Sequence, residues 1–405
     1  MGDTNWAGNY TYRAARIHRP ASVDELAELV AGAERIRVLG SRHAFNDIAD
    51  ADELVSLDGL PAAIEVGDDW VACGGAVRYG ELAEALHPHG RALHNLASLP
   101  HIAVAGAIAT ATHGSGDRSG NLATAVRALE LVTSAGEIVT LRRGDPDFDG
   151  AVVGLGALGA VTRVTLDTHP AHEIAQNVYE GLSWRALDEC SSELFAAGDS
   201  VSVFTHWGED AGQLWVKARE PGGEGFGATP ATVERHPILG LDPVNCTAQL
   251  GVPGRWSDRL PHFRMGFTPS AGKEIQSEYL LPRARAREAI AALRERADAI
   301  APVLQVSELR TVAADELWMS TAYGRDTFAI HFTWERDAAA VARALAHVEK
   351  ALLPLDARPH WGKVSLAPAG GKYPRVEDFA ALAGRLDPRG AFRNPWFERQ
   401  VLPSA

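Results

Sequence analysis

Apolar residues recur at helical spacing near the start of the chain and are followed by a short strand. Ser22 and Glu25 stand three residues apart, the spacing of a capping box at a helix N-terminus. The apolar positions that follow lie on one helical face: Val23, Leu26, Ala27 and Val30. Residues 35–39 then form a short apolar strand that stops at Gly40. The first predicted unit is therefore a helix, a strand and a glycine-containing turn.

Shorter strand patterns dominate the sequence that follows this unit. Residues 129–141 alternate as a hairpin that turns at Ala135-Gly136, and residues 161–166 alternate as a further strand. We therefore expect a β-rich first domain over residues 1–168. The C-terminal segment 367–405 is expected to rejoin it.

The second half of the chain alternates strands and helices in a recognisable order. Strands are predicted at 275–280, 303–312, 327–334 and 359–366, and helices at 283–300 and 337–353. This β-α-β-β-α-β order is typical of a ferredoxin-like antiparallel sheet. Earlier strand patterns at 202–205 and 213–217 would widen that sheet. The prediction is an α+β protein whose second domain, residues 169–366, binds the substrate.

Composition removes several classes of function. A chain of 405 residues can hold two or three domains, and its net charge of −13 argues against a nucleic-acid partner. The sequence has neither a long apolar run nor an apolar signal core at Met1 to Arg16, so we expect no membrane span. Cys73, Cys190 and Cys246 are widely spaced, which predicts neither a metal site nor a disulfide framework and favours the reducing cytoplasm. The sequence does not determine the oligomeric state and is compatible with a monomer.

The turn after the first strand carries the first candidate site. It runs from the end of the strand to a histidine, as Val38-Leu39-Gly40-Ser41-Arg42-His43-Ala44. A strand that stops at glycine leaves backbone N–H groups close to a ligand, and such groups suit phosphate oxygens. His43 could hold that ligand or be joined to it. The alternative is an exposed loop histidine without a function.

A second loop of similar character lies about sixty residues later, over residues 96–116. Its many small residues would let the backbone approach a large flat ligand closely. They include Ser98, Gly106, Thr110, Ala111, Thr112 and His113. Two such loops suggest a dinucleotide held across the first domain.

Polar side chains also occur on strand faces that should be buried. Glu308 and Arg310 are two residues apart, and so are His331 and Thr333 on the next strand, so each pair shares one face. Lys363 lies on the last predicted strand. Burying these groups unpaired would cost several kcal/mol, so they must satisfy each other or a polar ligand. The alternative is a structural Glu308–Arg310 pair on an exposed face, with Lys363 in solvent.

The two loops resemble the PCMH-type FAD-binding domain of the vanillyl-alcohol-oxidase family. Within that family the chain is similar to the alditol (xylitol-type) oxidases along nearly its whole length. The matching segments include Thr4-Asn5-Trp6-Ala7-Gly8-Asn9, His360-Trp361-Gly362-Lys363 and Phe392-Arg393-Asn394.

The resemblance implies FAD bound covalently through His43. The implied cofactor site comprises Val38, Leu39, Gly40, Ser41, Arg42, His43, Ala44, Ser98, Gly106, Thr110, Ala111, Thr112, His113 and Val161. The implied substrate-binding set is Ser98, Glu308, Arg310, Thr333 and Lys363. Arg42 and Ala44 look less constrained than their neighbours, so no chemistry is assigned to them.

Gly154, Gly156 and Gly159 fit the G-x-G-x-x-G pattern of nicotinamide dinucleotide sites. A Rossmann loop must open a helix, whereas residues 160–166 alternate as a strand. We therefore reject NAD binding and predict that these glycines allow close packing beside the flavin.

The resemblance further implies oxidation of the terminal primary alcohol of an acyclic polyol, such as xylitol or sorbitol, to the aldose. Dioxygen would be reduced to hydrogen peroxide, and the small Ala97 would leave it room. Arg310 and Lys363 would stabilise the developing alkoxide, and Lys363 or His331 would act as base, with Arg310 lowering the pKa of Lys363. The alternatives are an aldonolactone oxidase or dehydrogenase of the same flavin fold, and a non-catalytic sugar- or flavin-binding module.

Overall fold

The computed structural model describes residues 3–220, 225–266 and 274–402. The predicted first unit is confirmed. Ser22 caps the first helix by accepting the Glu25 N–H at 3.1 Å, and the strand that follows ends just before Gly40. Within the described ranges, no helix is both long and apolar enough to cross a bilayer.

Ten strands and four helices build the described N-terminal part of the chain. The strands are β1 (Arg16–His18), β2 (Ile36–Val38), β3 (Glu53–Val55), β4 (Ile64–Val66), β5 (Trp70–Gly74), β6 (Arg91–Ala92), β7 (Val126–Val132), β8 (Ile138–Arg142), β9 (Ala160–Asp167) and β10 (His169–Pro170). The helices are α1 (Val23–Gly32), α2 (Tyr79–Leu86), α3 (Val104–Ala109) and α4 (Phe148–Ala151). Strands β1, β3 and β2 form a parallel sheet, and β4-β5-β9-β7-β8 form an antiparallel one. The predicted hairpin is β7 and β8.

The G-x-G-x-x-G segment leads into a strand, as expected. Gly159 stands directly before β9 and has a φ of +149°, a conformation that favours glycine. A Cβ atom there would lie 2.5 Å from the carbonyl oxygen of Val132 on the neighbouring β7. Close backbone packing, and not a helix N-terminus, therefore explains this glycine.

Nine strands and five helices follow in the described remainder up to residue 366. The strands are β11 (Glu173–Leu182), β12 (Ser200–Thr205), β13 (Gly212–Ala218), β14 (Thr229–Pro230), β15 (Gly254–Arg255), β16 (Ile275–Pro282), β17 (Leu304–Val312), β18 (Thr327–Trp334) and β19 (Arg358–Pro359). The helices are α5 (Trp184–Glu189), α6 (Ser191–Ala196), α7 (Ala286–Arg294), α8 (Ala297–Ile300) and α9 (Ala338–Leu352).

One large sheet organises this second part, with strands in the order β14-β11-β13-β12-β17-β18-β16-β19. Its segment β17-β18-β16-β19 has the ferredoxin-like order that the sequence predicts. Strands β12 and β13 widen the sheet, also as predicted. Apolar side chains of α7 and α9 pack on one face of the sheet and leave the other face toward the N-terminal part of the chain.

Two predicted boundaries are wrong. The helix expected over 283–300 is interrupted between α7 and α8. In a continuous helix the backbone N–H of Arg296 would donate to the Ala292 carbonyl, but here the Arg296 guanidinium donates to that carbonyl instead. The strand expected over 359–366 ends at Pro359. The Asn46 side chain binds the carbonyls of Trp361 and Lys363, so this segment turns toward the N-terminal part of the chain.

The C-terminal helices α10 (Val376–Leu386) and α11 (Pro395–Gln400) lie against the N-terminal part. Ile36 donates its N–H to the Ala391 carbonyl at 2.8 Å. The Asn394 side-chain amide donates to the carbonyls of Asp47, Ile48 and Asp50. These contacts agree with a C-terminal segment that rejoins the first domain, while the boundaries at 168 and 367 stay a prediction.

Candidate active site

A cavity of about 570 Å³ lies between the turn after β2, the loop around α3 and the open face of the large sheet. A second cavity of about 180 Å³ adjoins it. The two share the turn residues 38–42, together with Gly106 and Gly156, as walls. Together their volume is within the size range of ligand pockets.

The turn after β2 lines both cavities and carries backbone N–H groups without a protein partner among the described residues. No described acceptor bonds the N–H groups of Gly40, Ser41 or His43. Arg42 has a φ of +64°, an uncommon backbone conformation for a residue other than glycine. The Ser41 hydroxyl accepts the N–H of Ala103 at 2.9 Å and so ties the turn to the loop before α3. Unpaired N–H groups of this kind suit an anionic ligand such as a pyrophosphate.

His43 projects from this turn into the larger cavity. Its ring stacks on Trp6 at 5.2 Å between centroids and lies 4.8 Å from the ring of His101. Burial, followed by the charges of His101 and Arg78, lowers the pKa of His43 to about 3. The imidazole is therefore neutral near pH 7, and its buried Nε2 has no hydrogen-bond partner within the described structure. A neutral imidazole with a free nitrogen can act as a nucleophile or a ligand.

Nearly all predicted cofactor residues line these cavities. The larger one is lined by Val38, Leu39, Gly40, Ser41, Arg42, His43, Ala44, Ser98, Gly106, Thr110, Thr112 and His113, and also by Ala97. Val161 lines the smaller one with Gly156 and Gly159. Ala111 is fully buried behind the wall, with a φ of +52°. The site therefore has the small-residue walls that a large planar ring requires.

The open sheet face places the predicted polar residues in rows. Glu308 on β17 pairs with His331 on β18, and His331 pairs with Glu278 on β16. Thr333 and Arg310 share this face because they lie two residues from His331 and Glu308. All five line the larger cavity.

Lys363 reaches the same face from the turn after β19 instead of from a strand. Its Nζ lies 2.6 Å from Oε2 of Glu278. The expectation that it shares a surface with Glu308 and Arg310 therefore holds, although the predicted strand ends at Pro359, before it reaches Lys363. The alternative of an exposed Glu308–Arg310 pair is wrong, since these residues are only 3% and 4% exposed.

Glu278 is the residue that sequence reasoning missed. Its carboxylate binds Arg310 Nη2 at 2.7 Å and Lys363 Nζ at 2.6 Å, and it lies 3.2 Å from Nε2 of His113. A signal was present, because Gln276 and Glu278 are two apart in an apolar strand, like Glu308 and Arg310. Glu278 thus joins both cations to the histidine of the cofactor loop.

The protonation states of the residues in this cluster are set by burial and by their charged neighbours. Burial alone would raise the pKa of Glu278, but Lys363, His113 and Arg310 together hold it well below its usual value. Burial lowers the pKa of Lys363, Glu278 opposes that shift, and Arg310 adds a smaller lowering. Burial also lowers the pKa of His331 well below its usual value, so its ring is neutral. The face therefore offers an ionised acid, two cationic groups and a neutral imidazole.

Glu308 has its own set of partners. Oε1 accepts from His262 Nε2 at 2.9 Å, and Oε2 lies 3.5 Å from Arg310 Nε and 3.8 Å from His331 Nδ1. Burial would raise the pKa of Glu308, but Arg310 and His262 bring it below its usual value. Ser98 stands across the cavity, and its carbonyl accepts the His262 N–H at 3.1 Å. His262 was also missed, and no pattern in its sequence neighbourhood marks it.

Comparisons with known proteins agree with this geometry. A model of FAD-binding domains matches residues 14–142, and a model of D-arabinono-1,4-lactone oxidase matches residues 268–400. The chain is 51% identical to an alditol oxidase from Streptomyces sp., with 98% of each chain covered. It is 31% identical to an L-gulono-1,4-lactone dehydrogenase from Mycobacterium tuberculosis, with 99% of each covered.

The same architecture occurs in a solved structure of cholesterol oxidase from Brevibacterium sterolicum. That structure matches with a TM-score of 0.78 over 98% of this chain and 96% of that one. At 15% sequence identity, the likeness concerns the fold alone. The α+β, two-domain prediction is confirmed.

Proposed function

This chain belongs to the alditol oxidase family of FAD-dependent oxidoreductases, and from that premise we propose that it oxidises the terminal primary alcohol of acyclic polyols such as xylitol and sorbitol to the aldose. Dioxygen is the electron acceptor and hydrogen peroxide the second product. One observation carries the proposal. The Glu278, Arg310 and Lys363 cluster faces the same cavity as the turn that bears His43.

FAD fits the residues that are present. The unpaired N–H groups of Gly40, Ser41 and His43 suit its pyrophosphate, and the small-residue walls leave room for its ring system. When bound, FAD supplies a two-electron acceptor for the hydride that leaves the alcohol carbon. The neutral imidazole of His43 is the group to which we assign the covalent attachment, because its Nε2 is buried without a partner.

Arg310 and Lys363 stabilise the oxygen of the reacting alcohol. That oxygen gains negative charge as its proton leaves, and two buried cations at fixed positions offset this charge without reorganising. Glu278 supplies the fixed positions, since it binds one cation through each carboxylate oxygen. Removing either cation should therefore slow the chemical step more than it weakens binding.

Two groups, Lys363 and His331, can take the hydroxyl proton, and they predict different changes of the reduction rate with pH. Lys363 serves as base only when deprotonated, so the reduction rate would rise with pH through its lowered pKa. His331 is already neutral, because its pKa lies well below its usual value. If His331 is the base, the rate would not rise with pH and would instead fall through the pKa of Lys363, because deprotonation removes one of the two cations that stabilise the alkoxide.

The remaining polar residues suit the secondary hydroxyls of a polyol. The ionised Glu308 only accepts hydrogen bonds, while Thr333 and Ser98 can donate or accept them. Sites built to bind hydroxyl groups reject analogues that lack them by large factors. We therefore infer a preference for polyhydroxylated chains over simple alcohols.

The rival substrate class is the aldonolactones, because the substrate-side match is to a lactone oxidase model. Identity favours polyols, at 51% with the alditol oxidase against 31% with the lactone dehydrogenase. Peroxide formation should be at least about tenfold faster with xylitol or sorbitol than with L-gulono-1,4-lactone at equal concentration, a difference of about 1.4 kcal/mol. Faster turnover of the lactone would replace this proposal with its rival.

We propose a cytoplasmic location because the cysteines do not form disulfides. Cys73, Cys190 and Cys246 are all unpaired in the described structure. Free thiols are typical of a reducing compartment.

A further inference from the structure

Lys217 is a charged residue in the interior that the proposed chemistry does not use. It lies on β13 and is 1% exposed. Its Nζ meets three acceptors: the carbonyl oxygens of Leu260 at 2.6 Å and Pro261 at 3.0 Å, and Nδ1 of His262 at 3.1 Å. An ammonium group has three N–H donors, so each donor has a partner.

This arrangement sets the tautomer of His262. An ammonium only donates hydrogen bonds, so Nδ1 must accept from Lys217 and carry no proton. The ring proton then lies on Nε2, which points at Oε1 of Glu308 at 2.9 Å. The opposite tautomer would place a lone pair against the Glu308 carboxylate, which is repulsive. The proton on Nε2 is inferred from this network.

The surroundings of His262 hold its ring in place. Phe204 and Trp215 contact it edge-on, with centroids at 5.3 and 5.7 Å. Its backbone N–H donates to the carbonyl of Ser98, and its carbonyl accepts from Thr247. One residue therefore links the cofactor loop to Glu308 on the substrate face.

We propose that Lys217 is a positioning residue, which fixes the Nε2–H tautomer of His262 and thereby holds Glu308 oriented and ionised to bind a substrate hydroxyl. The idea rests on the proposed function, in which Glu308 binds a secondary hydroxyl. A carboxylate with one oxygen fixed by His262 keeps the lone pairs of Oε2 available for the substrate. Without Lys217, both tautomers of His262 become accessible and Glu308 loses a defined donor.

The charges around Lys217 are compatible with this role. Burial lowers the pKa of Lys217 to about 7, Glu308 and Cys246 oppose the shift, and Arg310 adds to it. His262 is its other titratable contact. As the pH rises through the pKa of Lys217, one of its three acceptors loses its donor, so the grip on the substrate should weaken at alkaline pH.

The test compares four variants of the FAD-loaded protein. Lys217→Met removes the donor, His262→Asn is too short to reach Glu308, and His262→Gln keeps an amide N–H at the position of Nε2. Thr247→Val is the matched control, because the Thr247 hydroxyl ties Pro261, in the same segment, at 2.7 Å without touching the His262 ring.

Steady-state kinetics with xylitol and with 1,2-pentanediol, which lacks three of the hydroxyls, separate positioning from packing. Lys217→Met and His262→Asn should raise KM for xylitol about tenfold or more, with a much smaller change in kcat. The ratio of kcat/KM for xylitol to that for 1,2-pentanediol should fall by a similar factor. His262→Gln should have a KM and a kcat/KM ratio much closer to wild type than His262→Asn has. Thr247→Val should leave the ratio unchanged. An unchanged ratio in Lys217→Met, or an equal fall in Thr247→Val, would overturn the proposal.

A second measurement does not depend on turnover. In ¹⁵N-histidine-labelled wild-type protein, the resonances absent from His262→Gln identify His262. They should show a protonated Nε2 and an unprotonated Nδ1 below the pKa of Lys217. The reverse pattern would overturn the proposal even if polyols were not the substrates, so failure of the inference and failure of the proposed function can be told apart.

Discussion

Replacing Lys363 by methionine will slow anaerobic reduction of bound FAD by xylitol by about 10²–10³-fold, with FAD still bound. Methionine keeps most of the length of the side chain but removes the cation that Glu278 holds at 2.6 Å. The alkoxide then loses one of its two positive partners, and Arg310 remains alone. The measurement is stopped-flow absorbance of the flavin after mixing with xylitol without oxygen.

Lys372→Met is the matched control. This lysine binds the Leu353 carbonyl at 3.1 Å and lines neither cavity, so the reduction rate should not change. A wild-type rate in Lys363→Met would remove Lys363 from the mechanism. The pH dependence of the wild-type rate then identifies the base: a rise through the lowered pKa of Lys363 indicates Lys363, and a fall there indicates His331, because Lys363 then acts only as a cation.

Replacing His43 by alanine will abolish covalent attachment of the flavin completely. The ring is neutral at physiological pH because burial lowers its pKa to about 3, and its Nε2 is buried in the cavity wall without a partner. No other group of the turn offers a comparable nucleophile. After acid precipitation, the yellow colour should stay with the wild-type protein but pass into the supernatant of His43→Ala.

His89→Ala controls for the loss of any histidine, since His89 is exposed and lines neither cavity. Its flavin should remain with the precipitated protein. Colour that stays with precipitated His43→Ala would show that another residue carries the flavin.

The periodicity of the sequence predicted the parts of the fold in which one face is buried. Strand β9 alternates between buried and half-buried residues along its length, as its sequence predicts. In β17, Glu308 and Arg310 could be placed on one side because residues two apart in a strand share a face. The ferredoxin-like order followed from strands and helices of ordinary length. Such patterns involve residues close together in the chain, so a single sequence is enough to predict them.

What the sequence could not predict depends on contacts between distant segments. The turn that carries Lys363 forms because Asn46, more than three hundred residues earlier, binds the Trp361 and Lys363 carbonyls. Glu278 had a period-two signal of its own that went unused. His262 had none, since its importance comes from contacts with Lys217 on β13 and Glu308 on β17. Hydrogen bonds between residues far apart in the chain produce no periodic pattern, so they cannot be predicted from one sequence.

The central claim is that a polyol passes its electrons directly to FAD inside the cavity shared by His43 and the Glu278 cluster. An anaerobic titration of the purified, FAD-loaded protein with xylitol tests it most directly. The account predicts stoichiometric loss of the oxidised-flavin absorbance, followed by its return, with release of peroxide, when oxygen is admitted. Flavin that stays oxidised in excess xylitol and excess sorbitol would contradict it.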